Sequence, residues 1–166
     1  TRFSRQLVER SPGVVSAGAD VSMRGLLSVH VQDRKPLGIW CNGVDDAECF
    51  FFDQDGVVFK PSFAFTGSVF AMWRKEGVVV NLGQVVPCTA LCANAEYARF
   101  LADHKIATIV MNEESHTLAS VDGYSIKAGD NATTTMNHIR MLGVKKVDIR
   151  ELEYVDVRFP QKIYYK

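Results

Sequence analysis

At 166 residues the chain has the size of one ordinary domain, or of a small unit joined to a larger one, and it can bury a real core. Hydrophobic residues make up 47% and charged residues 23%, and 19 Lys and Arg balance 19 Asp and Glu, which excludes a disordered chain and a general positive field for nucleic acid. The longest apolar runs, such as Val78 to Leu82, fall far short of the roughly 20 residues that cross a bilayer, so the chain reads as soluble, with any membrane anchor upstream of Thr1.

Alternation of apolar and polar residues dominates over helical spacing. A short helix is expected over residues 3 to 10, ending before Pro12. Residues 14 to 23 and 26 to 33 read as strands around a two-residue break at Arg24-Gly25, with Leu27, Val29 and Val31 on one face and Ser28, His30 and Gln32 on the other. Pro36 marks the candidate boundary. Beyond it, strands are predicted at 37 to 41, 49 to 53 and 57 to 60, the last two joined through Gln54-Asp55-Gly56, then at 69 to 73, 77 to 82, 107 to 112, 116 to 121 and 124 to 128. Helical spacing over 90 to 104, with Thr89 as N-cap, and over 132 to 142, with Asn131 as N-cap and Gly143 as C-cap, predicts two helices. The fold class is therefore α+β: a sheet-dominated β domain over residues 36 to 166 with two packed helices, preceded by a helix and a β-hairpin within residues 1 to 35.

Motifs that suggest chemistry resolve to structure. Asp53-Gln54-Asp55-Gly56 resembles the start of a calcium loop, but the twelfth position is Ala64, where a bidentate Glu is needed, so a hairpin turn is the expectation. The cysteines at 41, 49, 88 and 92 lack the spacing of zinc knuckles. Cys41 ends one strand and Cys49 begins the next, which would set two thiols opposite each other and predicts a disulfide in an oxidising compartment; Cys88 and Cys92 read as small packing residues at a helix start. His30, His104, His116 and His138 are scattered, with a surface or half-buried place as the default, and no phosphate-binding glycine motif occurs. No metal, cofactor or enzymatic activity is expected.

Three stretches, in order, resemble the FtsQ/DivIB family of bacterial cell-division proteins. Pro12 to Pro36 is similar to the last two strands of that family's POTRA domain, with Asp33 where the family usually has Glu. Cys49 to Phe59 (CFFFDQDGVVF) resembles the hairpin that opens the family's β domain, following an aromatic such as Trp40, and Leu152 to Lys166 (LEYVDVRFPQKIYYK) resembles its closing strand and return hairpin. The resemblance implies a partial POTRA-like unit over residues 1 to 35, starting at that domain's second helix, and a β domain over 36 to 166. It also implies a non-enzymatic divisome scaffold on the extracytoplasmic side of the cytoplasmic membrane, binding the FtsB and FtsL coiled-coil pair and, through them, the septal peptidoglycan synthases. The alternative is a POTRA-type accessory of protein secretion or outer-membrane assembly, using the first hairpin to hold a passing polypeptide.

The C-terminal hairpin is where partner binding is expected. Alternation puts Val155, Val157 and Phe159 on the core face and Tyr154, Asp156 and Arg158 on the other. A three-residue loop at Pro160-Gln161-Lys162, with the proline at the second position of a type I turn, would pair Phe159 with Ile163, Val157 with Tyr165, Arg158 with Tyr164 and Asp156 with Lys166. Arg158, Phe159, Ile163, Tyr164 and Tyr165 are then the predicted partner-binding residues, offering a free edge for strand addition with aromatic and arginine anchors.

Overall fold

The protein is described from a computed structural model covering residues 2–43, 48–63, 69–113 and 115–166. Residues 44–47, between Cys41 and Cys49, lie outside the described residues. The chain begins with α1 (Arg2–Arg10), β1 (Val14–Val21) and β2 (Leu27–Asp33). The two strands pair antiparallel, and the register Ala17↔Val31, Ala19↔Val29, Val21↔Leu27 gathers their apolar side chains on one face. Helix α1 lies against β1, whose Ala17 and Ala19 are half-buried, while every residue of β2 is exposed. The break between the strands is longer than two residues: Ser22 accepts from Gly25 N–H at 2.9 Å and donates to the Leu26 carbonyl, and Gly25 takes the left-handed backbone (φ 75°) that closes the turn.

A nine-stranded mixed sheet follows, made of β3 (Gly38–Asn42), β4 (Glu48–Phe52), β5 (Val58–Ser62), β6 (Met72–Lys75), β7 (Ile106–Met111), β8 (His116–Ser120), β9 (Ser125–Ala128), β10 (Tyr154–Asp156) and β11 (Tyr164–Tyr165). Their order is β11-β10-β9-β8-β7-β6-β3-β4-β5, with β3/β6, β6/β7 and β9/β10 parallel and the other pairs antiparallel. The fold is α+β and sheet-dominated. Helices α3 (Ala95–Asp103) and α4 (Ala132–Val144) cover one face: Tyr97, Phe100, Leu101, Met136, Ile139 and Leu142 pack with Trp40, Phe52, Trp73, Ile109, Leu118, Ile126 and Val155 in one core. A smaller apolar group on the other face holds Ile39, Cys41, Cys49 and Met72, with Phe51 and Phe70 against it. Gly38 is required by this packing, since a Cβ there would meet the Phe52 ring at 2.7 Å and the Trp73 indole nitrogen at 3.1 Å.

Cys41 and Cys49 face each other directly across β3 and β4 and are joined by a disulfide, Cα to Cα 4.1 Å. Cys88 and Cys92 do more than fill space: they form a second disulfide across the single turn of α2 (Thr89–Cys92), buried in the main core.

Other expectations are corrected. Residues 77 to 82 form no strand, because the Asn42 side chain takes the place of a ladder: its Oδ1 accepts from Val80 N–H and its Nδ2 donates to the Val80 carbonyl, both at 3.0 Å. The helix over 90 to 104 is broken, and Asn94 rather than Thr89 caps its main part, accepting from Tyr97 N–H at 3.0 Å. Helix α4 begins at its Asn131 cap but runs through Gly143, and Lys146 supplies the left-handed residue beyond its end (φ 60°). His116 and His138 are buried.

Arg34 joins the two sheets. Its Nε donates to the Pro12 carbonyl at 2.8 Å, and its guanidinium pairs with the Asp53 carboxylate. The other oxygen of Asp53 accepts from Asp55 N–H at 3.0 Å and Val57 N–H at 2.9 Å, which shapes the β4–β5 turn. Gly56 completes that turn at φ 74°, where a Cβ would press on Val85 and Val86 at 3.3 Å. Asp53 is thus fully engaged by donors, as a turn residue and not as a cation ligand. Asp53→Ala leaves the guanidinium and two amides without their acceptor and is expected to cost about 3 kcal/mol or more in urea unfolding. Tyr97→Phe should do the reverse. The buried Tyr97 hydroxyl has no hydrogen-bond partner among the described residues, and burial pushes its pKa well up, so removing it should raise stability by about 1 kcal/mol in the same measurement.

Candidate functional site

The ends of the large sheet differ. At the β5 end, Pro61 has no N–H to offer, and residues 83–85 already pair with the strand: Gly83 N–H donates to the Val58 carbonyl at 2.7 Å and Val58 N–H to the Gln84 carbonyl at 2.9 Å. At the other end β11 carries nothing on its outer side among the described residues. Lys166 and Tyr154 exchange backbone hydrogen bonds (3.2 and 3.4 Å), so the alternation of an antiparallel ladder turns the N–H and C=O of Tyr165 outward.

Strand β10 is placed by its parallel pairing with β9, which Val157 extends by donating to the Lys127 carbonyl at 2.9 Å. Val155 and Val157 face the core as alternation requires, both almost fully buried. Phe159 does not: it is 46% exposed and meets Tyr164 edge-on, ring centroids 5.6 Å apart. The register is also shifted by two from the three-residue hairpin, with Val155↔Tyr165 and Asp156↔Tyr164. The cause lies at Asp156. Its carboxylate accepts from Arg158 N–H at 3.2 Å, Nε at 2.9 Å and Nη2 at 2.6 Å, which ends the strand and turns the chain before Phe159 can continue the alternation. The proline turn does form, Lys162 N–H donating to the Phe159 carbonyl at 3.3 Å, but within a longer connection from Val157 to Ile163.

The five predicted residues therefore divide between two faces. Arg158, Phe159 and Tyr164 gather outward, with the guanidinium 5.5 Å from the Phe159 ring centre. Ile163 packs against the main core, and Tyr165 lines a groove of about 400 Å3 with Met141 and Lys145 of α4. Sequence reasoning missed His138, which reaches from α4 to this same connection: Nδ1 lies 3.3 Å from the Val157 carbonyl oxygen and Nε2 3.1 Å from that of Pro160. Its signal is present in the sequence, because His138 falls on the apolar stripe with Thr135, Ile139 and Leu142.

A second concavity, about 490 Å3, opens where α3 and α4 end. Its polar groups hold one another: Tyr124 donates its hydroxyl to the His104 carbonyl at 3.0 Å, Lys105 pairs with Asp122 at 3.1 Å and Arg150 with Asp148 at 2.7 Å. Burial lowers the His104 pKa and raises that of Tyr124. The four cysteines are all in disulfides, which leaves no thiol for chemistry. No described helix is long and apolar enough to cross a membrane.

No protein-family model and no curated protein matches the chain. The function is therefore argued from the edge itself. Its arginine is held in place by Asp156, whose pKa is lowered chiefly by the side-chain bonds from Arg158. A depressed carboxylate contributes stability above the unfolded pKa and loses it as pH falls through the folded one. By NMR, the Asp156 carboxyl should titrate below the ordinary aspartate range, and Arg158→Ala should move it back up.

Proposed function

We propose that this chain is the extracytoplasmic part of a bacterial divisome scaffold of the FtsQ/DivIB kind, and that it binds a partner strand along β11. The observation that carries the proposal is the outer edge of β11, unpaired among the described residues, beside the Arg158–Phe159–Tyr164 cluster, at the end of a sheet whose other edge is covered at Val58. Two residues make a short template, so backbone pairing alone gives little affinity, and the side chains beside it must supply most. The partners are the FtsB and FtsL pair and, through them, the septal peptidoglycan synthases; the protein itself performs no catalysis.

The family assignment rests on three stretches of sequence, and their places in the fold are consistent with it. Pro12 to Pro36 spans the first hairpin, Cys49 to Phe59 spans most of β4 and the start of β5, and Leu152 to Lys166 spans β10 and β11. Arg34 of the first stretch pairs with Asp53 of the second. Two disulfides suit an oxidising compartment outside the cytoplasm, and a membrane anchor in the whole protein would hold this part there.

The alternative, a POTRA-type accessory that holds a passing polypeptide, draws on the open β1–β2 hairpin, where Val21, Leu27, Val29 and Val31 are exposed. One experiment separates the two. Tyr165→Pro removes an outward N–H without touching the bonds to β10, and Tyr164→Lys removes an aromatic anchor. In the membrane-anchored full-length protein, each should weaken co-purification with the FtsB and FtsL pair by about tenfold or more, with the thermal melt unchanged. Full binding by both folded variants, with loss on Val29→Lys instead, rejects the β11 edge in favour of the hairpin.

A further inference from the structure

His116 of β8 is only 1% exposed, and neither of its ring nitrogens has a hydrogen-bond partner among the described residues. His138 differs, since both of its nitrogens lie at backbone carbonyls. A buried polar group without a partner forfeits the bonds that water would give it, and a buried charge forfeits far more. The one carboxylate near the ring among the described residues is that of Asp130, 3.7 Å from Nδ1, which is beyond hydrogen-bond distance, and 73% exposed to water. Burial lowers the His116 pKa, and Asp130 and the Gly129 backbone offset that only in part.

The ring sits where several parts of the chain end. Its cross-strand neighbours are Met111, the last residue of β7, and Ala128, the last of β9. Gly129 and Asp130 then lead to Asn131, the cap of α4, while Lys127, on the other side of Ala128, accepts from Val157 N–H and so holds the end of β10. Few described charged groups surround it. Neither strand neighbour carries a charge, and Lys127 stands over the Tyr154 ring on the opposite face of the sheet. The covering helices bring Tyr97 of α3, neutral because burial pushes its pKa well up, and His138 of α4. Glu96, Arg99, Asp103 and Arg140 on those helices, and Glu113 between β7 and β8, are exposed.

We propose that His116 is an acid-opened latch: neutral, it stays inside the closed sheet, and on taking a proton it leaves toward the Asp130 carboxylate and water, parting the ends of β7, β8 and β9 beside the start of α4. Burial sets the direction. A ring in the open form binds its proton at the ordinary value and the closed ring less tightly, so opening takes up a proton. The closed form is therefore favoured above about pH 6.5 and loses ground as pH falls below it. The effect on partner binding, through Val157 and the return of β11, rests on the proposal that β11 is the docking edge; the latch itself needs no partner.

The test is amide hydrogen exchange of the full chain between about pH 5 and pH 8, corrected for intrinsic rates, with the His116 ring nitrogens followed by NMR. The amides to watch are Asn112, bonded to the Ser115 carbonyl, Thr134, bonded to the Asn131 side chain, and Val157, bonded to the Lys127 carbonyl; Val58, bonded to the Gln84 carbonyl at the far edge, is the internal control. Below about pH 6.5 protection of the three should fall, by up to about tenfold per pH unit, while Val58 holds. His116→Leu fills the site without a titrating group and should keep all three protected across the range. Because it retains His30, His104 and His138, a pH effect that persists in it is routed through another group and overturns the proposal. So does a His116 ring that is charged while the three amides are fully protected, or a loss of protection at Val58 equal to theirs. The ring measurement needs only the unmodified protein, so it decides the matter even where His116→Leu fails to fold. Acid opening at Asn112 together with undiminished partner binding by Tyr165→Pro would sink the docking edge and leave the latch standing.

Discussion

The Asp53 carboxylate is where the two parts of the molecule and the first hairpin of the large sheet are held in common. One oxygen takes the amides of Asp55 and Val57, and the other takes the guanidinium of Arg34, which also reaches the Pro12 carbonyl. Each contact alone is an ordinary hydrogen bond or ion pair. Their sharing of one side chain, only 4% exposed, makes them dependent on each other, because a buried carboxylate is tolerable only with its lone pairs filled. The turn shape sets how β5 returns along β4, and the same acid fixes where the first hairpin meets the sheet.

From that fixed end the sheet runs across nine strands to an end with much less holding it. Strands β3 and β4 are buttressed by helices on one face and a disulfide on the other, whereas β11 is two residues long and, among the described residues, pairs only with β10. Low local stability is expected of an element with so short a ladder, and it suits the proposed docking role. The contacts of His138 with the Val157 and Pro160 carbonyls and the Asp156–Arg158 pair act where the ladder itself is too short to determine the backbone path.

Much of the fold was legible in the sequence because local signals and tertiary structure agree there. Asp-Gly between apolar runs marks the β4–β5 turn, Asn131 starts α4, and Cys41 and Cys49 sit near the facing ends of two strands consecutive in sequence, so their opposition follows from antiparallel pairing. What was illegible depends on partners distant in sequence. Residues 77 to 82 have strand composition, yet Val80 satisfies its backbone on Asn42, 38 positions away. The parallel ladders of β6 and β10 join strands by crossovers that no local pattern announces. Cys88 and Cys92, four apart, are ambiguous between packing and pairing until the single turn of α2 is known to lie between them. His138 lies in no catalytic motif, and the informative feature is its place on the buried stripe of α4.

Under the proposed strand addition, the shift at Phe159 has a functional consequence. In a regular three-residue hairpin, Phe159 would be buried opposite Ile163, and the outer face would offer the Arg158–Tyr164 cross-strand pair without the Phe159 ring. In the observed path Asp156 draws Arg158 back along the strand, Phe159 emerges beside it, and Tyr164 meets the Phe159 ring edge-on. Immobilising a rotamer-rich side chain on binding costs about 0.5–1.5 kcal/mol, and here much of that ordering precedes the partner. An arginine already bonded to a carboxylate has less to offer a second anion, which favours a partner that stacks over the guanidinium plane and the exposed rings rather than one that only pairs with the charge. A strand added along Tyr165 would run next to this cluster. The features that broke the expected alternation are thus the ones that would give a docking edge its side-chain surface.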